Sequence, residues 1–291
     1  MSWLAQGLLG SGLQEDESHR AVWYVTILAM FTAVANLLFP PACLLCRRRL
    51  PAPPIGGVPA CPATGVAADR QAGVPEVASL FCEACEQAMP TALPPVCQQC
   101  GVGLLGAYDA HVVCQRCRES PLAVEKARAP FVYAGMVREA IHAFKYDGRR
   151  RIGLWLASHM ARTTASEFPL TKINAIVPVP LHWVKQRLKG TNPSAFLARA
   201  VAKLLKIPCD PGCLCRVRWT STQTRLGIHQ RFQNVRDAFR VPRHRSMGRT
   251  VLLVDDVLTS GATAHACALA LRDAGITTVF VLTAARAPQP E

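Results

Sequence analysis

Asp255 and Asp256 are adjacent carboxylates, and Thr259-Ser260-Gly261-Ala262-Thr263 follows two residues later. Each group has a chemical use. The amides and hydroxyls of the second suit a phosphate when they stand at a helix N-terminus, where N–H groups and the helix dipole favour an anion. Gly261 lets the backbone approach that anion closely. The carboxylates cannot touch the phosphate, but they suit the hydroxyls of a sugar attached to it, or a hydrated divalent cation beside it. Phosphate, sugar diol and metal describe a phosphorylated ribose. The elements needed to position these groups surround them. Residues 251–254 are an apolar run that reads as a buried strand ending on the two carboxylates. Residues 264–274 read as a helix stopped by Gly275, and 276–282 as the returning strand. Such a βαβ unit takes ligands at the carboxyl ends of its strands.

Residues 251–263, an apolar strand, an acidic pair and a Thr/Ser/Gly loop, resemble the phosphoribosyl-diphosphate (PRPP) signature of the type I phosphoribosyltransferases. The resemblance implies that Asp255, Asp256, Val257, Thr259, Ser260, Gly261, Ala262 and Thr263 bind PRPP together with Mg²⁺, with Asp255 and Asp256 as the catalytic pair. The bland alternative is a strand running into a helix cap. Two carboxylates on a buried strand are an expensive way to build one.

Eight of the 13 cysteines form four Cys-x-x-Cys pairs: Cys43/Cys46, Cys82/Cys85, Cys97/Cys100 and Cys114/Cys117. This spacing lets both sulfurs of a pair reach one ion, and four thiolates make a closed tetrahedral zinc site. Two structural Zn²⁺ sites are expected, the first pair joining the second and the third joining the fourth. Disulfides are the other use of paired cysteines; phosphate chemistry in a reducing compartment argues against them. His111, near the fourth pair, reads as a loop residue, and Cys61, in a Pro/Gly/Ala-rich insertion after Cys46, as a spare thiol. Short ribbons bury little apolar surface, so metal supplies folding energy. A chelator is expected to unfold residues 40–120 and leave the C-terminal βαβ core. The remaining cysteines, Cys209, Cys213, Cys215 and Cys267, read as core residues, with Cys213 and Cys215 on one face of a strand.

Length points to more than one domain. The expected division is 1–39, an extension with a long apolar helix; 40–120, a double zinc ribbon with the insertion; and 121–291, the α/β domain. Residues 1–120 carry 7 basic against 9 acidic side chains, and 121–291 carry 26 against 10. That basic excess suits a polyanion such as nucleic acid, or a solvated surface. Residues 21–39 are almost uninterruptedly apolar and long enough to be weighed as a membrane span. No basic region opens the chain, which disfavours a signal peptide. A packed helix in a cytoplasmic protein is the expected outcome, with membrane association through 21–39 as the alternative.

From Pro130 the pattern is α/β. Residues 131–133 read as a short strand, and 136–146 as a helix with Val137, Ala140, Ile141 and Phe144 on one side, ending in a basic turn at Lys145 and Arg149-Arg150-Arg151. A buried strand over 173–177 runs into Pro178-Val179-Pro180 and then His182, Lys185, Arg187 and Lys189. A rigid proline turn followed by cations suits a diphosphate, with Val179, Pro180, Arg187 and Lys189 as its contacts; a soluble helix face is the alternative. Asn192 and Pro193 read as the cap and first residue of a helix. Residues 220–239, with Gln223 and Arg231, read as a mobile lid over an anionic substrate.

The arrangement is similar to the ComF family, which includes GntX-type proteins: an N-terminal double zinc ribbon joined to a phosphoribosyltransferase-like parallel sheet flanked by helices. Roughly residues 36–286 carry the resemblance. Its marks are Leu37-Leu38-Phe39-Pro40-Pro41 leading into Cys43, the other knuckles, Phe144-Lys145-Tyr146, Pro178-Val179-Pro180-Leu181, and Gln223-x-x-Leu226 with Arg231-x-x-Asn234-Val235. The chain departs from the family at Lys189-Gly190-Thr191-Asn192-Pro193, where Arg-Gly-Phe-Asn-Gln is usual. The resemblance implies PRPP binding linked to natural competence, DNA uptake or DNA utilisation, and, for an enzyme, phosphoribosyl transfer with release of diphosphate. The alternative class is a non-catalytic module that binds PRPP or a nucleotide as a signal, its basic surface holding single-stranded DNA or a competence helicase.

Overall fold

The computed structural model describes residues 41–50, 80–106, 112–181, 191–218, 228–242 and 248–289, together with Trp23, Ile27 and Met30. The chain divides into two compact units, Met1–Thr64 and Gly65–Glu291. In the first, Trp23, Ile27 and Met30 are helical and exposed; the rest of the 21–39 run lies outside the described residues. Among the described residues no helix is long and apolar enough to cross a membrane. Residues 41–50 form a tight turn closed by an Ala42–Arg49 bridge, in which Cys43 N–H donates to Arg48 O (2.8 Å) and Arg47 N–H to Cys43 O (2.9 Å).

The second unit runs in chain order through α1 (Glu83–Gln87), α2 (Gln115–Glu119), β1 (Lys126–Arg128) and β2 (Phe131–Val132). Two helices follow, α3 (Gly135–Tyr146) and α4 (Arg150–Glu167), then β3 (Ala175–Pro178), α5 (Pro193–Leu205) and β4 (Cys215–Arg216). The chain continues through α6 (Ile228–Val235), β5 (Phe239–Arg240), β6 (Thr250–Leu258), α7 (Ala262–Asp273) and β7 (Thr278–Arg286).

Strands covered on both faces need apolar side chains at every position rather than at alternate ones. Val251–Leu253 and Val254 in β6, and Val279 to Ala285 in β7 with Thr283 as the one polar member, meet that need and are buried. They form the centre of a parallel sheet of order β1-β7-β6-β3, with β2 pairing further along β7. Helices α3, α4 and α5 pack together, with α5 on β3 and β6 and α4 on β7; α6 and β5 pack on α7. The fold is therefore the expected one, α/β with a mostly parallel sheet flanked by helices, together with the N-terminal cysteine knuckles.

The third and fourth knuckles share the core of the sheet. Val102, Leu122 and Val124 are buried in one cluster with Val177, Val251, Leu253, Val279, Val281, Cys267 and Leu271. Gly101, at φ +67°, is pressed so closely on β1 that a Cβ there would lie 2.6 Å from Ala127 O. On the other face, the Trp155 ring of α4 stacks on Phe131 (5.1 Å) and meets the edge of Phe81 (4.8 Å), the residue before Cys82.

Several local expectations are corrected. The β6 strand does not end on the carboxylates: pairing with β7 continues through Asp255–Thr283, Val257–Ala285 and Leu258–Arg286. The third strand begins at Ala175, because a 3₁₀ turn over Leu170–Lys172 occupies the approach. Cys213 and Cys267 are core residues, whereas Cys209 and Cys215 are only half-buried. Cys215 lies in β4, and its thiol donates to Arg240 O (3.1 Å).

Candidate functional site

At the carboxyl end of β6 the chain passes through Thr259 and Ser260 and enters α7 at Gly261, whose φ of +80° is the left-handed conformation that glycine tolerates. The turn is braced from within: Ala262 N–H donates to Ser260 Oγ (3.3 Å) and His265 N–H to Gly261 O (2.8 Å). A cavity of about 190 Å³ opens here, lined by Val179, Asp255, Asp256, Val257, Thr259, Gly261, Ala262 and Thr263. Ser260 is buried and does not line it. The first N–H groups of α7 have no carbonyl partners within their own helix, so the cavity joins helix-end amides to two carboxylates. It is smaller than the roughly 300–1,000 Å³ of pockets that enclose a drug-sized ligand, a scale suited to a sugar phosphate.

The carboxylates occupy different settings, because consecutive strand residues point to opposite faces. Asp255 Oδ1 accepts from the Ser194 hydroxyl (2.7 Å) and from Asp256 N–H (2.9 Å). Burial, with the charge of Asp256 adding to it, pushes the Asp255 carboxyl up to about 7. Asp256 Oδ1 pairs with Lys145 Nζ at 2.7 Å, both side chains largely withdrawn from solvent. Burial works against the charge of Lys145, yet the carboxylates of Asp256 and Asp255 outweigh it and raise its affinity for a proton. Ser194 is placed by the start of α5, where Asn192 caps the helix by accepting from Ser194 N–H (3.0 Å) and Pro193 takes the first turn. The same Asn192 donates to Val179 O (3.0 Å), tying that helix to the turn after β3.

Lys145 and Ser194 were not among the expected site residues. Lys145 reads locally as the basic end of a helix and Ser194 as an ordinary first-turn residue. Their roles arise only when α3 and α5 are brought to the tip of β6. Of the expected diphosphate contacts, Val179 lines the cavity and Pro180 follows it, half-buried. Arg187 and Lys189 lie outside the described residues, as does Gln223. Arg231 sits on α6, and the described part of 220–239 is helix and strand packed on α7 through Val235, Ala238 and Phe239.

Cys97, Cys100, Cys114 and Cys117 are all buried, and their Sγ atoms lie within 4.8 Å of one another. A tetrahedron with Zn–S arms of about 2.3 Å has edges of about 3.8 Å, and Cys100 Sγ and Cys114 Sγ are 3.8 Å apart. The backbone N–H groups of Cys100 (3.5 Å) and Cys114 (3.3 Å) donate to Cys97 Sγ, the outer hydrogen bonding usual around a metal-bound thiolate. Hydrogen bonds from Cys100 and Cys117 hold the Cys97 thiol far below its ordinary range, while burial raises Cys114. Such crowding cannot carry four negative charges unless a cation compensates them. The residues fit zinc. Cys82, Cys85 and α1 repeat the pattern of Cys114, Cys117 and α2, each first cysteine standing at the N-cap of its helix. His111 and Cys61 lie outside the described residues.

Three arginines border these groups. Arg128, buried, donates to Cys97 O (3.3 Å) and Gln98 O (3.1 Å) and pairs with Glu167 (2.9 Å). Arg286, also buried, donates through Nε to Cys100 O (2.9 Å) and through Nη1 to Leu258 O (2.9 Å) and Thr259 O (2.7 Å). Arg116, in α2 between Cys114 and Cys117, donates to Ser260 O.

No protein-family model matches the chain. It is similar to the DNA utilization protein YhgH of Shigella flexneri, 31% identical over 208 residues that cover 69% of this chain and 88% of the relative. It is similar to competence protein F of Haemophilus influenzae, 30% identical over 212 residues, covering 71% and 90%. Competence protein ComFC of Bacillus subtilis is 24% identical over 200 residues, covering 67% and 78%.

Proposed function

The chain belongs to the ComF family, and on that premise we propose that it binds PRPP with Mg²⁺ at the carboxyl end of β6, in a cytoplasmic role tied to DNA uptake or utilisation. One observation carries the reading: Asp255, Asp256, Thr259, Gly261 and Thr263 line a single cavity of sugar-phosphate size. Cavity-lining groups of Thr259, Gly261 and Thr263 receive the 5-phosphate, and Asp255 and Asp256 hold the ribose hydroxyls or the cation. Bound Mg²⁺ would offset charge on a departing diphosphate. The reaction such a site fits is displacement at C1 of the ribose: the C1–O bond to diphosphate breaks as a nucleophile bonds to C1. Val179, which lines the cavity, and Pro180 beside it mark the diphosphate side, and the sequence assigns Arg187 and Lys189, outside the described residues, to the same diphosphate. Lys145 keeps Asp256 oriented, and Ser194 does the same for Asp255. Calorimetric titration with PRPP and Mg²⁺ tests the proposal. The wild type gives saturable heat and Asp255→Asn removes it; a wild-type titration with no heat sinks the reading.

Alongside the ligand, we assign Cys97, Cys100, Cys114 and Cys117 to one structural zinc ion and, from their Cys-x-x-Cys spacing in the sequence, the other four knuckle cysteines to a second. Metal analysis of the purified protein checks this, with two zincs per chain expected.

A second reading, a non-catalytic module for single-stranded DNA or a helicase partner, is favoured by one surface. Tyr146 is exposed with its ring 4.5 Å from that of His142, and Arg149, Arg150 and Arg151 are exposed just beyond it. Aromatic rings beside cations suit an unpaired strand. Replacing the three arginines by serine should weaken oligonucleotide binding and flatten its salt dependence. Full function of Asp255→Asn in a transformation assay would favour this module over ligand chemistry.

A further inference from the structure

We infer that Arg116 and Arg286 make the second cysteine cluster a positioning device for the loop 258–263, so that the order of this loop depends on metal holding Cys97, Cys100, Cys114 and Cys117. The linkage is direct. The Arg286 guanidinium reaches Cys100 on one side, at its carbonyl (2.9 Å) and at its Sγ (3.6 Å), and the carbonyls of Leu258 and Thr259 on the other. Arg116 lies within the fourth knuckle and donates to the carbonyl of Ser260. Two contacts just beyond that knuckle complete the support. The Leu122 side chain lies where a Cβ on Gly261 would approach to 2.9 Å, and Ala123 N–H donates to His265 Nδ1 (3.0 Å) in the first turn of α7.

Guanidinium groups hold the carbonyls of Leu258, Thr259 and Ser260, while the cavity is lined by Thr259, Gly261, Ala262 and Thr263 and by neither arginine. Arg116 and Arg286 therefore touch no substrate; they position the amides that would. Arg286 is buried, with Cys100 on one side of its guanidinium and the carbonyls of Leu258 and Thr259 on the other, so loosening the knuckle removes one of its two anchors. A loop bound this way transmits order in both directions: anything that stabilises the loop must also stabilise the cluster, by the same factor.

Hydrogen exchange on the full-length, zinc-loaded chain tests the inference without any ligand. A hydrogen bond from a charged donor contributes enough that losing Arg116 should speed exchange of the 258–263 amides roughly tenfold. The Arg116→Ala variant should show this with unchanged zinc content and unchanged exchange in α5. In the wild type, stepwise removal of zinc by a chelator should release protection of 258–263 together with residues 97–117 and before β3. Equal loop exchange in the variant and the wild type, or loop protection that persists until β3 opens, overturns the inference. A further arm, which rests on the proposed function, uses PRPP with Mg²⁺ as the probe. PRPP should slow zinc loss from the wild type several-fold and lose that effect in Arg116→Ala. If PRPP gives no calorimetric heat, the ligand assignment fails while the exchange result still decides the coupling.

Discussion

Asp255 is a carboxyl whose surroundings oppose its charge. Its affinity for a proton is higher in the folded chain, with a midpoint near 7, than the ordinary value of 3.8. Between those two pH values the folded state binds more protons than the unfolded one, so this group lowers stability as pH rises across the window and lowers it fully above it. Each pH unit of displacement corresponds to about 1.4 kcal/mol. Asp255→Asn keeps an oxygen to accept from Ser194 and Asp256 but carries no charge. The variant should gain denaturant stability over wild type at pH 8, gain little at pH 4, and still bind no PRPP. Identical pH dependence in the two proteins would remove the buried-charge account. Lys145→Met leaves Asp256 without its cation in a largely enclosed site. Removing one partner of a buried pair costs about 3–5 kcal/mol, and solvent at the cavity mouth should bring this toward the lower end, read as a fall in the midpoint of chemical denaturation.

Elements act on the site through their packing. Gly153 of α4 lies against the rings of Phe144 and Phe196, and a Cβ there would approach them to 2.4 and 2.7 Å. Phe144 immediately precedes Lys145, so this contact seats the end of α3 that carries the Asp256 partner. Overpacking of this kind costs roughly 1–3 kcal/mol; Gly153→Ala should lower the melting temperature and weaken PRPP binding together. Asn192 joins helix capping to the site, since it accepts from Ser194 N–H and donates to Val179 O. Loss of a cap typically costs about 0.5–2 kcal/mol. Asn192→Ala should reach the upper end because a second hydrogen bond goes with it, and urea titration measures the difference.

On the scale of the whole molecule, the third and fourth knuckles are part of the core of the second unit. Their pattern of short, metal-dependent ribbons leads to the expectation that a chelator would unfold 40–120 and spare the α/β core. The common burial of Val102, Leu122, Leu253, Val281 and Leu271 revises it. Zinc removal should instead lower the denaturation midpoint of the parallel sheet itself, followed by tryptophan fluorescence, with Trp155 packed on Phe131 as the reporter. An unchanged midpoint would show that the ribbon and sheet are energetically separate.

The sequence by itself determined what contiguous residues can encode: the βαβ unit around 251–282, the turn of amides and hydroxyls at its centre, the Asn192–Pro193 cap and the knuckle spacing. Helical and strand periodicity, capping and ligand spacing are local properties, carried by neighbours in the chain. Tertiary structure alone decided who faces that turn. Ser194 meets Asp255 across 61 residues, and Arg116 meets Ser260 across 144. Such partners carry no local signature, because a lysine ending a helix or an arginine inside a knuckle has the same pattern whether it faces water or a carbonyl. Only packing of the helices and the ribbon onto the parallel sheet converts those residues into supports of the site.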